Sequence, residues 1–341
     1  MPEWTALADN VTRYRPHTRG GHYESYFWRA NDPSSRRAIW LKATILSRVG
    51  DGNPVADVWC CTFDGVTGST WGHRETVPLD QARLEGTPLE IELSGCRFNL
   101  DPETGSSDGY LENERGSCRW DLHWSPVEGL LGAPMSIFPF RWMLHTALPK
   151  AKTVTPHPAL AFSGSMEWSG EPISADGWFG MQGHNWGTEH TPRYAWGHCV
   201  FIEQGVPTCM FEGFSGRVEI GGKLTPPISA LEVRYGARVY RFNHLLNLWN
   251  QEASIQYPRW RLELKGPGGF AELEMSANPD EMVCLGYVNP NGDLLYCLNS
   301  KLAEVRLTVT PKDGPAFQFS SPYGGALEFL VPKNPGFNHV I

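Results

Sequence analysis

Six short motifs occur twice in this chain, in the same order. The first half carries Gly21-His22, Trp40, "CTFDG" (61–65), "RFN" (97–99), "RWDL" (119–122) and "FSGSMEW" (162–168). The second carries Gly183-His184, Trp196, "CMFEG" (209–213), "RFN" (241–243), "RWRL" (259–262) and "YGGALEF" (323–329). An internal repeat restricts a chain of 341 residues to two similar units in tandem, each near the usual ~150 residues per domain. The polar stretch "SGEPISAD" (169–176) reads as the joint, which gives domains at 1–172 and 173–341.

The units read as β structure. "RRAIWLKATIL", "PLEIEL", "RWDLHWS", "YAWGHCVFI", "ALEVRY", "RWRLELKG" and "AEVRLTVTP" alternate or are rich in β-branched and aromatic residues. The 36 glycines and 27 prolines are spread evenly, as many turns between short strands require. "VCLGYVNPNGDLLYCLN" reads as a hairpin turning at Asn291-Gly292. Helix signals are confined to "LDQARLE" (79–85) and "NHLLNLW" (243–249). The expected fold is all-β and antiparallel, two tandem barrels with a few short helices, since closure hides so many strand edges.

Several function classes fall away. A net charge of −8 without a long basic run excludes nucleic acid as a partner. The locally basic "TRYRPHTRGGH" reads as a solvated arm. No apolar run reaches the ~20 residues that span a bilayer, which leaves only peripheral membrane contact open. The eight cysteines form no C-x-x-C and sit in apolar runs, the mark of reduced thiols in a cytoplasmic protein; no signal peptide is read at "MPEWTALADN". There is no G-x-S-x-G and no G-x-G-x-x-G, and Gly222-Lys223 is followed by Leu224, so it reads as a turn rather than a phosphate loop.

Chemistry concentrates in "GMQGHNWGTEHTPRYAWGHC" (180–199). Strand alternation puts Gln182, His184 and Trp186 on one face and, after a turn at "GTEHTPR", Tyr194, Trp196 and His198 on one face of the next strand. If the two strands pair, these side chains line one surface. Burying each polar group without a partner costs about 1–3 kcal/mol, so a cavity explains the cluster better than a packed core does. The small residues on the opposite face, Gly183 and Gly187 among them, leave room for another backbone. His184, Glu189, His190 and His198 lack any metal-ligand spacing, and no metal or other cofactor is expected. A carboxyl kept protonated by an apolar pocket is a natural proton donor to an alkene. Glu189 and Glu24 are the candidates, with a histidinium at His184 as the other option and aromatic faces to stabilise the resulting cation. The matched acids of "CTFDG" and "CMFEG", Asp64 and Glu212, read as structural turn residues.

"GWFGMQGHNWGTEH...YAWGHC" resembles the "QGHNWG...YAWG" signature of tocopherol cyclase-like proteins, and "GHYESYFWRANDP" is similar to the first-strand region of the same group. That group joins carotenoid 1,2-hydratases (hydroxyneurosporene synthases) and AttH-like proteins in a lipocalin-like superfamily. The resemblance implies paired lipocalin-like barrels, an apolar pocket near their junction, and cofactor-free hydration or cyclisation of an isoprenoid or polyketide alkene. It assigns Gln182, His184, Asn185, Trp186, Tyr194 and Trp196 to the substrate site, and it supplies no match for the acid of the hydratases. A carrier of a hydrophobic ligand and a pericyclase remain the alternatives. Oligomeric state is left open.

Overall fold

The computed structural model describes residues 5–16, 20–50, 52–217, 219–220, 223–244 and 251–341. Gly222, part of the basic arm and most of the helix expected over 243–249 lie outside these residues. The first sheet holds β1 (His22–Asn31), β2 (Arg37–Ser47), β3 (Val55–Asp64), β4 (Ser69–Pro78), β5 (Arg83–Glu85), β6 (Glu90–Leu93), β7 (Cys96–Asn99), β8 (Gly105–Asn113), β9 (Gly116–Pro126), β10 (Ala151–Trp168), β11 (Glu171–Ser174) and β12 (Trp178–Gly187). After the turn at 188–192 come β13 (Arg193–Glu203), β14 (Val206–Arg217), a two-strand ribbon of β15 (Glu219–Ile220) and β16 (Lys223–Leu224), β17 (Ile228–Tyr235), β18 (Arg238–Arg241), β19 (Gln251–Gln256), β20 (Arg259–Gly266), β21 (Gly269–Ser276), β22 (Val283–Val288), β23 (Leu294–Pro311) and β24 (Phe317–Val331). Apart from the ribbon, these form the second sheet.

All ladders are antiparallel, and the chain is built as the sequence predicts, from two curled sheets. The first runs β4-β3-β2-β1-β12-β10-β9-β8-β7-β6-β5, the second β18-β17-β14-β13-β24-β23-β21-β20-β19. Nine consecutive places agree, with the last strand of each unit beside its first. The six motif pairs do not occupy equivalent places, however. "CTFDG" lies on β3 but "CMFEG" on β14, the counterpart of β2; "RWDL" lies on β9 but "RWRL" on β20, the counterpart of β8. The repeat is therefore one of topology, and the motif pairs mark common strand composition.

Three expectations need correction. The stretch 169–176 is no linker: Glu171–Ser174 turns back on β10 as β11, and β12 then inserts between β10 and β1. The crossing between sheets is at 188–192, so the boundary at 172/173 cuts the first sheet and misplaces the Gln182-to-Gly187 motif. "LDQARLE" forms one 3-10 turn (Leu79–Gln81) and β5, because its apolar side chains pack on the barrel at strand spacing. The Asn291-Gly292 hairpin uses a five-residue loop, in which Asn289 accepts from Gly292 N and donates to Asp293 O.

Each barrel is filled. Trp28 stacks on Phe98 at 4.8 Å and meets Trp124 at 5.5 Å in the first; Trp260 occupies the centre of the second, its indole donating to Ser215 Oγ. The outer faces of β1–β3 and of β13 and β22–β24 meet, so strands in both barrels are buried on both faces. All eight cysteines are buried free thiols.

Candidate functional site

The motif does not line one surface. β12 and β13 belong to different sheets, so their side chains diverge. Gln182, His184 and Trp186 lie opposite Trp28, Tyr26 and Glu24 and face the mouth of the first barrel. Gly183 and Asn185 face the second sheet, where the Phe27 ring covers Gly183 and Asn185 Oδ1 accepts from Ser25 at 2.5 Å. Tyr194, Trp196 and His198 point from β13 back toward the first sheet.

At the barrel mouth, Glu24 is fully engaged. Its Oε1 accepts from Tyr26 Oη (2.8 Å), His184 Nε2 (2.9 Å) and Arg13 N (2.8 Å). Its Oε2 accepts from Tyr14 N (2.7 Å), His22 Nε2 (3.0 Å) and Thr12 Oγ1 (3.3 Å). Burial pushes this carboxyl up, but hydrogen bonds from His184 and His22, the His184 charge and the Arg13 amide outweigh it and hold Glu24 well below the usual carboxylate range. Nδ1 of His184 meets the Asp9 carbonyl at 2.6 Å. Both ring nitrogens thus face oxygen atoms. Gln182 and Asn10 exchange two amide hydrogen bonds, and Arg141 clamps Asp9 at 2.7 Å. This network ties residues 9–14 over the barrel. Glu24 is thus held as the anion, and both ring nitrogens of His184 are engaged, by Glu24 and by the Asp9 carbonyl.

Glu189 sits on the turn with its side chain a third exposed, in an ion pair with Lys150. Among the described residues, no group of three or more His, Cys, Asp and Glu is placed to hold a metal ion. Asp64 does cap a turn, accepting from Val66 N and Thr67 N. Glu212 does not: it is buried mid-strand, accepting from Thr155 Oγ1 at 2.6 Å and Trp196 Nε1 at 3.0 Å.

Between the sheets, polar groups pair across the junction. Arg29 donates to Nδ1 of His198, whose Nε2 donates to the Pro158 carbonyl at 2.7 Å. Burial, with Arg29 beside it, keeps His198 neutral. Asn31 donates to Lys301 O, and Lys301 pairs with Glu328 at 2.7 Å.

Beside this seam lies a cleft of about 190 Å³, walled by Tyr23, Trp59 and Tyr287 and floored by Lys42, which sequence reasoning missed. Lys42 Nζ lies 3.9 Å from the Tyr287 ring centre and has no hydrogen-bond partner among the described residues. Burial pushes its ammonium down to about 8, against the opposing pull of Glu328. Asp57, on the adjoining strand, accepts from Thr44 (2.7 Å) and Thr76 (2.5 Å) and is not free to pair with it. His190, stacked on Tyr23 at 3.8 Å and anchored to Asn289, completes the wall; burial pushes it down to about 3, so it stays neutral. Of the expected residues, Glu24 and His190 reach the cleft lining, and Glu24 turns its carboxyl to the other side of β1.

No family model matches the chain. Two uncharacterized proteins of Mycobacterium tuberculosis, strains CDC 1551 / Oshkosh and ATCC 25618 / H37Rv, are each 24% identical over 313 residues, spanning 90% of this chain and 88% of theirs. An AttH-like protein from Nitrosomonas europaea superposes with TM-score 0.53 at 14% identity, over 90% of this chain and 92% of its own. Kievitone hydratase from Nectria haematococca gives 0.55 at 11% (97% and 93%), and CghA gives 0.54 at 9% (98% and 96%). At such identities what is shared is the fold, two lipocalin-like barrels.

Proposed function

We propose that the chain is a cofactor-independent enzyme that hydrates or cyclises an alkene of a hydrophobic small molecule, isoprenoid-like or polyketide-like, in the cleft between the barrels. The observation that carries this reading is Lys42: a buried amine with no hydrogen-bond partner among the described residues, set among three aromatic rings in a cleft to which both barrels contribute walls. The likeness to kievitone hydratase supports it at the level of fold.

The ammonium of Lys42 donates to an oxygen conjugated with the alkene, which draws electrons from the β carbon. Water adds its oxygen there and its hydrogen to the α carbon. Lys42 lends a proton to the conjugated oxygen and regains it as the enol collapses. In a cyclisation, a hydroxyl of the substrate takes the place of water, its oxygen bonding to the β carbon and its hydrogen passing to the α carbon. This donor replaces the carboxyl expected from sequence, since Glu24 and Glu189 are committed elsewhere. A carrier would hold its ligand inside a barrel, but the Trp28 and Trp260 cores are filled.

The test is native mass spectrometry of protein purified from its source, wild type beside Lys42→Met. A lipophilic molecule retained by wild type and turned over without added cofactor supports the reading. Equal retention and turnover by Lys42→Met removes it.

A further inference from the structure

The junction cleft is cationic in a protein of net charge −8. Lys42, Arg48 and Arg74 line it. Among the described residues, none of the three has a carboxylate within ion-pair distance. Of the two acidic residues in the lining, Glu24 is consumed at the barrel mouth and Asp57 by two threonine hydroxyls. Register explains the arrangement. Lys42 pairs with Trp59, and Trp59 pairs with Arg74, so one row across β2, β3 and β4 sets the two cations on either side of an indole. Arg74 lies over that ring at 4.6 Å from its centre and Lys42 at 5.8 Å. Among the described residues Arg74 makes one hydrogen bond, a long one of 3.4 Å to the Gly286 carbonyl.

Two cations on one ring, one of them buried, repel each other; Glu328 and Asp57 pull on Lys42 only from beyond ion-pair distance, and among the described residues no carboxylate pairs directly with either cation. We infer that the cleft is built for an acidic ligand, with a carboxylate or enolate oxygen held between Lys42 and Arg74 and an apolar body on Tyr23, Tyr287, Ile45 and Val55. Arg48, exposed at the rim, attracts the anion during approach. Rings that stack against the cations also give the apolar body its surface, so charge and shape select the same molecule. This rests on the reading of the cleft as the substrate site and narrows it to substrates carrying an acidic oxygen.

The test uses 4-(dimethylamino)cinnamic acid and its methyl ester, a fluorescent pair that differs in charge alone. The acid should bind wild type at least tenfold more tightly than the ester. Raising sodium chloride from 50 to 500 mM should weaken the acid several-fold and leave the ester unchanged. In Arg74→Gln the preference should collapse toward unity while ester binding persists, with unchanged circular dichroism as the check on folding. Equal binding of acid and ester by wild type overturns the inference but leaves the cleft as a ligand site. A preference that survives both Arg74→Gln and high salt places the anion elsewhere and also overturns it. Binding of neither probe removes the inference and the cleft reading together.

Discussion

Arg29 of the first sheet donates to Nδ1 of His198 of the second at 2.6 Å, and this hydrogen bond works only with a neutral imidazole. Replacing Arg29 with Met strands His198 Nδ1, Asn31 Oδ1 and the Gly324 carbonyl in the seam. The expected loss is about 3 kcal/mol of stability, read from urea unfolding. Arg29→Lys should recover part of it by reaching one of the three acceptors.

Glu24→Ala should cost about 3–5 kcal/mol, because it leaves His184 and His22 buried without their acceptor. Glu189→Gln removes only a partly exposed ion pair and should change stability by less than about 1 kcal/mol, with turnover intact. Lost turnover in a well-folded Glu189→Gln protein would restore the acid that the sequence suggests.

Acid should unfold the protein in two stages. Burial holds His157 down to about 4, His190 to about 3 and His198 far below the ordinary histidine value. Below about pH 6.5 the unfolded chain takes up protons there that the folded one refuses. Stability therefore falls with pH, by up to about 1.4 kcal/mol per unit for each of the three. Glu24 acts next. Its folded carboxyl is depressed, so its contribution is whole above the ordinary glutamate value and is lost as pH drops beneath it. Unfolding midpoints at pH 7.5, 6.0 and 4.5 check the first stage, and Glu24→Gln should flatten the second.

Lys42→Met should lower turnover at least about 100-fold with little change in melting temperature. In wild type the donor is the ammonium, present below about pH 8 and lost above it, so turnover should decline roughly tenfold per pH unit on the alkaline side. Lys42→Arg should move that limb upward. An alkaline limb unmoved by Lys42→Arg would take the donor role from this residue.

A Cβ on Gly183 would fall 2.2 Å from Phe27 Cζ. Gly183→Ala should therefore cost about 1–3 kcal/mol, and Phe27→Leu in the same chain should relieve part of it. Thermal melts of the two single variants and the double variant measure the coupling.

Strand positions were legible because alternation and turn residues are local signals: β2, β9, β13, β20 and the β22–β23 hairpin fall where the pattern puts them. The barrel pair was legible in outline. The strand that closes the first barrel was not, because β12 follows a Gly-rich turn that reads equally well as a linker, and only its ladders to β1 and β10 decide the matter. The cluster of polar groups at 182–198 was rightly read as in need of partners. Those partners turned out to be Asp9, Asn10 and Glu24 on one side and Arg29 and Glu212 on the other, all remote in sequence. Lys42 escaped notice since a lone lysine in "RRAIWLKATIL" looks like the wet face of a strand. The second sheet covers that face, which local alternation does not reveal.

The polar seam between the sheets has a practical corollary. Arg29, Asn31, His198 and the Lys301 carbonyl have partners across the seam. A chain severed between residues 188 and 192 yields two fragments that each display the complement of the other, and their reunion would rebuild the Lys42 cleft from inert halves, a ready-made complementation sensor.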